Sequence, residues 1–215
     1  MKNDKRAIIF CSGDLSDVSR IKKYIDKNTF LIGCDGGTAH ILSLGLTPHA
    51  VIGDFDSIAS ATKHVLKNKD VDYFRYPKDK IHTDSELGLM LAKERGYTQI
   101  IITGFRGTAT DHMLGNLFLL FKKPYRGLDI RILDGKEEIR TVYKNIDISG
   151  NKDDTVSLVA IGEDAKSVTT TGLFYPLKDA TLHVDTSEGL RNHLTGSRAK
   201  VGIRKGSLLV IHRVK

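Results

Sequence analysis

Gln99-Ile100-Ile101-Ile102-Thr103-Gly104-Phe105-Arg106-Gly107-Thr108 is the stretch whose reading decides the fold. Its first half is an unbroken apolar, β-branched run, which suits a strand buried on both faces, as in a parallel sheet. A glycine-bearing turn follows, and Asp111-His112 then opens a helical pattern. Leu114, Leu117, Phe118 and Phe121 share one face of 111–121, and Pro124 lies beyond its end. Strand, glycine turn and helix in that order form one unit of an α/β fold.

The same unit recurs toward the N-terminus. Short apolar runs at 7–11, 30–34, 50–53 and 72–75 read as four further strands. Between them, 38–44 reads as a short helix stopped by Gly45. The segment 84–95 reads as a longer one, with apolar positions at Leu87, Met90 and Leu91 and Gly96 after its end. The alternation predicts right-handed crossovers and an open, mostly parallel α/β sheet. After Pro124 the pattern changes. Short β-branched runs at 131–133, 141–143, 155–160, 168–170, 181–184, 200–203 and 207–211 are separated by Gly, Asp, Asn or Lys turns, with no convincing helix. That predicts a small all-β sandwich. The expected domains are thus 1–125, an α/β nucleotide-binding and catalytic domain, and 126–215, a β-sandwich.

Bulk properties narrow the function. In 215 residues, 40% are hydrophobic and 27% charged, ordinary values for a globular chain. No run approaches the roughly 18–20 apolar residues of a membrane span. The apolar run at 7–11 is shorter than the ~7–15-residue core of a signal peptide, so a cytoplasmic protein is expected. Cys11 and Cys34 each close a strand-like run and read as buried thiols. The net charge of +7 and pI near 9.3 fit binding of nucleotides or phosphates. The basic residues are dispersed, with no run of five and no zinc-finger or RNA-binding motif, so no nucleic-acid partner is expected.

Polar clusters stand at the C-terminal ends of the expected strands, where open α/β sheets bind ligands. They are Asp35-Gly36-Gly37, then Asp54-Phe55-Asp56-Ser57, then Lys78, Lys80, Thr83, Asp84 and Glu86, and then Gly104 to Gly107 with Asp111-His112. In an extended segment residues i and i+2 point the same way, so Asp54 and Asp56 are expected to present two carboxylates to one point. Two such anions call for a cation, and hard oxygen donors suit Mg²⁺ bridging to phosphates. Asp84, at the start of a neighbouring helix, is a candidate third ligand. Helix capping is the competing reading for Asp56 or Ser57, for Asp84 and for Asp111. The turn 104–107 and its helix N-terminus offer backbone N–H groups to a phosphate, although the spacing fits neither a P-loop nor a dinucleotide fingerprint. His112 and Asn116, four apart, share a helix face. Lys78, Lys80 and Arg106 are candidate phosphate clamps, Lys80 before Lys78 because it stands four residues from Asp84. Farther on, Tyr175 and Asn192 read either as the lining of an aromatic-substrate pocket or as loop turns.

These motifs resemble, in order, those of the thiamine pyrophosphokinase family. They are Cys34-Asp35-Gly36-Gly37-Thr38-Ala39, Gly53-Asp54-Phe55-Asp56-Ser57, Thr83-Asp84-Ser85-Glu86, Asp111-His112 with Asn116, Gly172-Leu173-Phe174-Tyr175-Pro176-Leu177, and Gly189 with Asn192. The resemblance implies transfer of the diphosphoryl group of ATP to the hydroxyl of thiamine, leaving AMP. It implies Mg²⁺ at Asp54, Asp56 and Asp84, with Asp111 beside the acceptor hydroxyl. ATP would meet Asp35, Gly36, Gly37, Lys80, Thr83, Arg106 and His112. The acceptor would meet Asp111, Asn116, Tyr175, Arg191 and Asn192, which makes the second domain thiamine-binding. It also implies a homodimer with active sites at the subunit interface. The chain departs from the family pattern in three places. Ala109 replaces an Arg, Arg191 replaces a Ser, and the Lys-Asp-x-Thr-Asp run becomes Lys80-Ile81-His82-Thr83-Asp84. The departures leave two rival readings, a diphosphokinase for another heteroaromatic alcohol such as a pterin, and a non-catalytic nucleotide or thiamine sensor.

Overall fold

The computed structural model describes residues 5–15, 18–56, 58–107 and 109–215. Ser57 and Thr108, quoted in the motifs above, lie outside the described residues. The chain forms two compact units, 1–135 and 136–215.

The described residues of the first unit form six strands. They are β1 (Arg6–Phe10), β2 (Phe30–Cys34), β3 (Ala50–Gly53), β4 (Asp72–Arg75), β5 (Gln99–Thr103) and β6 (Asp129–Asp134). Their spatial order is β6-β5-β1-β2-β3-β4, and every recorded pairing among them is parallel. The central strands are buried throughout, as their unbroken apolar runs require. Helices cover both faces. On one, Ile21 of α1 (Ser19–Lys22) and Ile41 of α2 (Gly37–Ser43) cluster with Ile8, Phe10, Leu31 and Ile101. On the other, α4 (Asp84–Glu94) brings Gly88 so near the sheet that a Cβ there would stand 3.1 Å from Ile9 Cγ2. Burying each such aliphatic side chain contributes about 1.5–3 kcal/mol. α3 (Ser60–Leu66) buries Thr62 and Leu66, and α5 (Thr110–Leu119) follows β5. The edge strand β4 is largely exposed and carries Asp72 and Arg75, a charged edge that discourages pairing with another chain.

The second unit is antiparallel. One sheet has the order β12 (Asn192–His193), β9 (Thr155–Ala160), β14 (Leu208–Arg213), β7 (Glu137–Val142). The other has β11 (Ala180–Leu182), β10 (Ala165–Thr171), β13 (Arg198–Gly202), β8 (Asn145–Ser149). Residues alternate in and out along β8, β9 and β13, and the inward set, including Ile146, Ile148, Val156, Leu158, Ala199 and Val201, makes one core.

The strand expected at 131–133 joins the parallel sheet rather than the sandwich. It is β6, in register with β5 through Ile100↔Ile130 and Ile102↔Ile132. Asp129 and Arg131 interrupt its apolar run and mask its membership of a doubly buried sheet. The compact units therefore meet after Gly135, beyond the boundary expected near residue 125.

Candidate active site

The strand order places β1 at the point where the chain reverses direction across the sheet. β2, β3 and β4 follow on one side of it, and β5 and β6 on the other. Such a switch point opens a crevice at the C-terminal strand ends. Here it is a cavity of about 580 Å³ lined from the ends of β1 to β5. Cys11, Ser12 and Gly13 follow β1, and Asp35 follows β2. Asp54 follows β3, Lys78 to Ser85 follow β4, and Gly104, Phe105 and Gly107 follow β5. His112 and Asn116 come from α5.

Asp35 is the most constrained of these residues. It is 7% exposed and has a left-handed backbone, φ +43°. Its own N–H donates to Ile52 O at 2.9 Å, and its Oδ1 accepts the Phe55 N–H at 3.1 Å. A Cβ at Gly53 would overlap this carboxylate, so that position admits only glycine. Burial pushes the Asp35 carboxyl up, the Asp84 carboxyl beside it pushes the same way, and Asp54 adds to both. Against the Phe55 N–H, these carry it to about 6.

Asp54 and Asp56 do not line the cleft together. Phe55 between them has φ +66°, so the segment is a turn rather than an extended strand, and the i, i+2 alignment is lost. The Asp54 Oδ1 accepts the Asp56 N–H at 2.8 Å. Asp54 lines the cavity, while Asp56 is exposed and outside its lining. The ring of Phe55 packs on Val51, Ile58 and Leu66 and meets Tyr73 edge-on at 6.0 Å, which holds this strained turn in place.

Asp84 opens α4, and Thr83 caps it by accepting the Glu86 N–H at 3.3 Å. Asp84 Oδ1 stands 2.8 Å from Lys80 Nζ, with both side chains largely buried. Burial lowers the Lys80 pKa, but the hydrogen bond to Asp84 and the charges of Asp84, Asp35 and Asp54 outweigh it and raise the group overall. Cys11 and Cys34 are free and buried. Cys11 Sγ lies 3.2 Å from Ser85 Oγ, and Cys34 Sγ donates to Asp84 O at 3.3 Å. Burial pushes the Cys11 thiol to about 11 and raises Cys34 well above its usual range, so neither is a ready nucleophile.

Gly13 lets the loop after β1 approach the loop after β5, where the Gly13 N–H donates to Gly104 O at 2.8 Å and Asp14 N–H to Arg106 O at 2.6 Å. Arg106 turns away from its expected clamp role, its Nε lying 2.8 Å from the buried Asp134 Oδ2, and it is not among the lining residues. Asp111 is likewise outside the lining. It is exposed, and its Oδ1 accepts the His112 N–H at 2.8 Å. Gly36 and Gly37 do not line the cavity either; Gly37 lets the start of α2 abut Phe10 O. Among the described residues no group of three His, Cys, Asp or Glu is placed to hold a metal ion.

In the second unit Asn192 is buried and fixes a turn. Its Oδ1 accepts the N–H groups of Tyr175 (3.0 Å) and His193 (2.9 Å), and its Nδ2 donates to Tyr175 O at 2.7 Å. This turn leaves Phe174 and Tyr175 more than half exposed, with Phe174 stacked on His193 at 4.6 Å. Arg191, at φ +56°, is exposed, and its N–H donates to Ser157 Oγ at 3.0 Å.

Two family models match the chain, the thiamin pyrophosphokinase catalytic domain over residues 21–132 and the thiamin pyrophosphokinase vitamin B1 binding domain over residues 143–208. A thiamine pyrophosphokinase of Bacillus subtilis is 30% identical over 206 residues, 94% of this chain and 96% of that protein. The chain belongs to the thiamin pyrophosphokinase family. The crystal structure of thiamine pyrophosphokinase from Bacillus subtilis superposes with a TM-score of 0.88 at 31% identity, covering 98% of this chain and 100% of that one. Thiamin pyrophosphokinase from Geobacillus thermodenitrificans gives 0.83 at 26% identity, covering 97% of each. Nothing among these relatives favours a pterin kinase or a non-catalytic sensor.

Within this thiamin pyrophosphokinase fold, Asp35, Asp54, Lys80, Thr83, Asp84, His112 and Asn116 come together in one cleft, as the sequence motifs led us to expect of residues at the strand ends. Asp56, Arg106 and Asp111 stand outside it. Ser12 and Gly13 also line it, although no sequence motif contains them, and Lys78 lines it beside Lys80. The segment Ser12-Gly13-Asp14 directly after β1 was the available signal, being one more polar strand end.

Proposed function

We propose that the cleft of the first unit transfers the diphosphoryl group of Mg-ATP to the hydroxyl of thiamine, releasing AMP. The observation that carries this reading is the convergence of Asp35, Asp54 and Asp84 with Lys78 and Lys80 at the switch point of the sheet. The triphosphate is held near Lys78 and Lys80, whose charges offset the charge on the transferred group. Gly104, Phe105 and Gly107, with Ala109 before α5, line the same space, and a strand–helix turn of this kind suits a phosphate.

The donor set fits Mg²⁺. Three hard carboxylates share the cleft, and burial together with their crowding raises Asp35 to about 6. It is the chemistry of these donors and not their present spacing that fits, and Asp54 and Asp84 would be the first to hold the ion, with Asp56 outside the cleft lining. Bound there, Mg²⁺ would supply charge neutralisation between phosphate oxygens. His112 and Asn116, rather than Asp111, line the cavity from α5 and are placed to position a substrate.

The exposed Tyr175 and Phe174 rings suit a heteroaromatic acceptor, and the turn that Asn192 fixes presents them. Leu114 and Phe118 are exposed at 43% and 53% on α5, an apolar surface consistent with a homodimer in which two chains complete each site. No helix among the described residues is long and apolar enough to cross a membrane, consistent with a cytoplasmic enzyme. Chromatography of nucleotides after incubation with Mg-ATP and thiamine tests the reading. AMP and thiamine diphosphate in equal amounts support it, and ADP or no product rejects it.

A further inference from the structure

We infer that His40 is a positioning residue of this cleft. From outside the lining it holds the Gly13 carbonyl, and so keeps that oxygen from turning toward the triphosphate. The inference rests on the reaction proposed above and concerns how the cleft receives its phosphates.

The loops after β1 and β5 form one wall of the cleft, with Ser12, Gly13, Gly104, Phe105 and Gly107 in the lining. They stay joined beyond the strand ends. Cys11 N–H donates to Thr103 O at 2.9 Å, Gly13 N–H to Gly104 O at 2.8 Å and Asp14 N–H to Arg106 O at 2.6 Å. Ser12 Oγ donates to Cys34 O at 3.0 Å. The carbonyls of Thr103, Gly104, Arg106 and Cys34 are thus occupied by donors from the loop after β1. The Gly13 carbonyl takes its donor from elsewhere. His40 Nε2, in the last turn of α2, lies 2.8 Å from it. A carbonyl oxygen only accepts, so the ring nitrogen donates, in the neutral or the charged imidazole alike.

The peptide between Gly13 and Asp14 is therefore held at both ends, its N–H by Arg106 O and its C=O by His40. Glycine leaves that peptide free to rotate. A stiffer residue has no room, because a Cβ at Gly13 would stand 2.0 Å from Arg106 O. Hydrogen bonds must supply the rigidity instead. A phosphate is bound by N–H groups and repelled by a carbonyl oxygen, and the repulsion grows with the charge of the ligand. Without His40 the Gly13 oxygen is released to face the anion. His40 is not among the lining residues, so its effect reaches the phosphates through Gly13.

The test measures calorimetric affinities of wild type, His40→Phe and His40→Gln for Mg-ATP, Mg-ADP, AMP and thiamine at about pH 8, where an ordinary imidazole is neutral. His40→Phe keeps a ring without a donor, and His40→Gln keeps an N–H donor without the ring. His40→Phe is expected to weaken Mg-ATP binding about three- to tenfold, the scale of one uncharged hydrogen bond. Mg-ADP loses less, and AMP and thiamine hardly change. His40→Ala, a second variant without a donor, matches His40→Phe, whereas His40→Gln retains most of the ATP affinity. In turnover the loss falls on KM for ATP, with kcat within about twofold of wild type. A packing role predicts the reverse order, His40→Phe close to wild type and His40→Gln impaired, and that order overturns the inference. An equal loss on all four ligands overturns it too, as does wild-type affinity for Mg-ATP in His40→Phe. Should wild type bind Mg-ATP but release no AMP, the proposed reaction fails and these affinities still decide the inference. Should wild type bind no Mg-ATP, both fail.

Discussion

Asp35 and Asp154 are buried carboxylates, one in each unit, and their surroundings drive them in opposite directions. Asp154 is fully buried, yet the N–H groups of Asn151 (2.8 Å) and Lys215 (3.1 Å) and the ring of His212 (3.1 Å) all point at it. Burial pushes its carboxyl up, but these partners outweigh burial and leave it below the usual carboxylate range. Asp35 has only the Phe55 N–H against burial and the neighbouring Asp84 and Asp54, and burial with these two acids carries it up to about 6. One site is satisfied by the protein and pins the C-terminal strand. The other is left short of positive charge at the mouth of a cleft. Burial alone therefore does not mark a functional acid, whereas burial without sufficient donors does.

The largest expected effect comes from neutralising the unsatisfied member. Asp35→Asn removes like-charge repulsion and is expected to cut AMP formation by about 10²–10³-fold, the scale of a lost electrostatic contact in a reacting site. Its thermal stability should hold or rise, which a melting curve checks. Neutralising the satisfied member should do the reverse. Asp154→Ala leaves His212 and two N–H groups unpaired and is expected to destabilise the second unit by about 3–5 kcal/mol, measured by denaturant unfolding.

The two acids should also differ in sign with pH. The Asp154 pKa is depressed on folding, so its stabilisation is present above the unfolded value of about 3.9 and is lost as pH falls through the folded one. The Asp35 pKa is raised. Its contribution is fully present below about 3.9 and is lost as pH rises through about 6. Asp35→Asn should flatten the stability profile between about pH 4 and 6 while leaving the more acidic loss in place. The smallest expected effect is at Phe55. Phe55→Gly relieves a left-handed φ of +66° but deletes packing on Val51, Ile58 and Leu66. Partial cancellation predicts a net destabilisation of about 1–2 kcal/mol, with a larger proportional loss of activity as Asp54 loses its aim.

Much of this contrast is legible in sequence, and the rest is not, for identifiable reasons. Unbroken runs such as 99–103 and 30–34 announce strands buried on both faces, and the acids behind them announce the cleft. β6 escapes because Asp129 and Arg131 interrupt its run, and α3 because only Thr62 and Leu66 face inward. The placement of Asp56 outside the cleft lining is not legible because alternation assumes extended backbone, and the positive φ of Phe55 is not written in residue type. Arg106 carries the right charge but is tied to Asp134, a partner 28 positions away that no local pattern predicts. The role of Asn192 is visible only once its side chain is seen holding both backbone groups of Tyr175.

Nucleotide analysis of wild type and Asp35→Asn side by side, with thiamine and Mg-ATP, tests the central claim most directly. The account predicts AMP and thiamine diphosphate in equal amounts from wild type, and a folded Asp35→Asn that yields almost none. ADP from wild type, or undiminished AMP from Asp35→Asn, would contradict it.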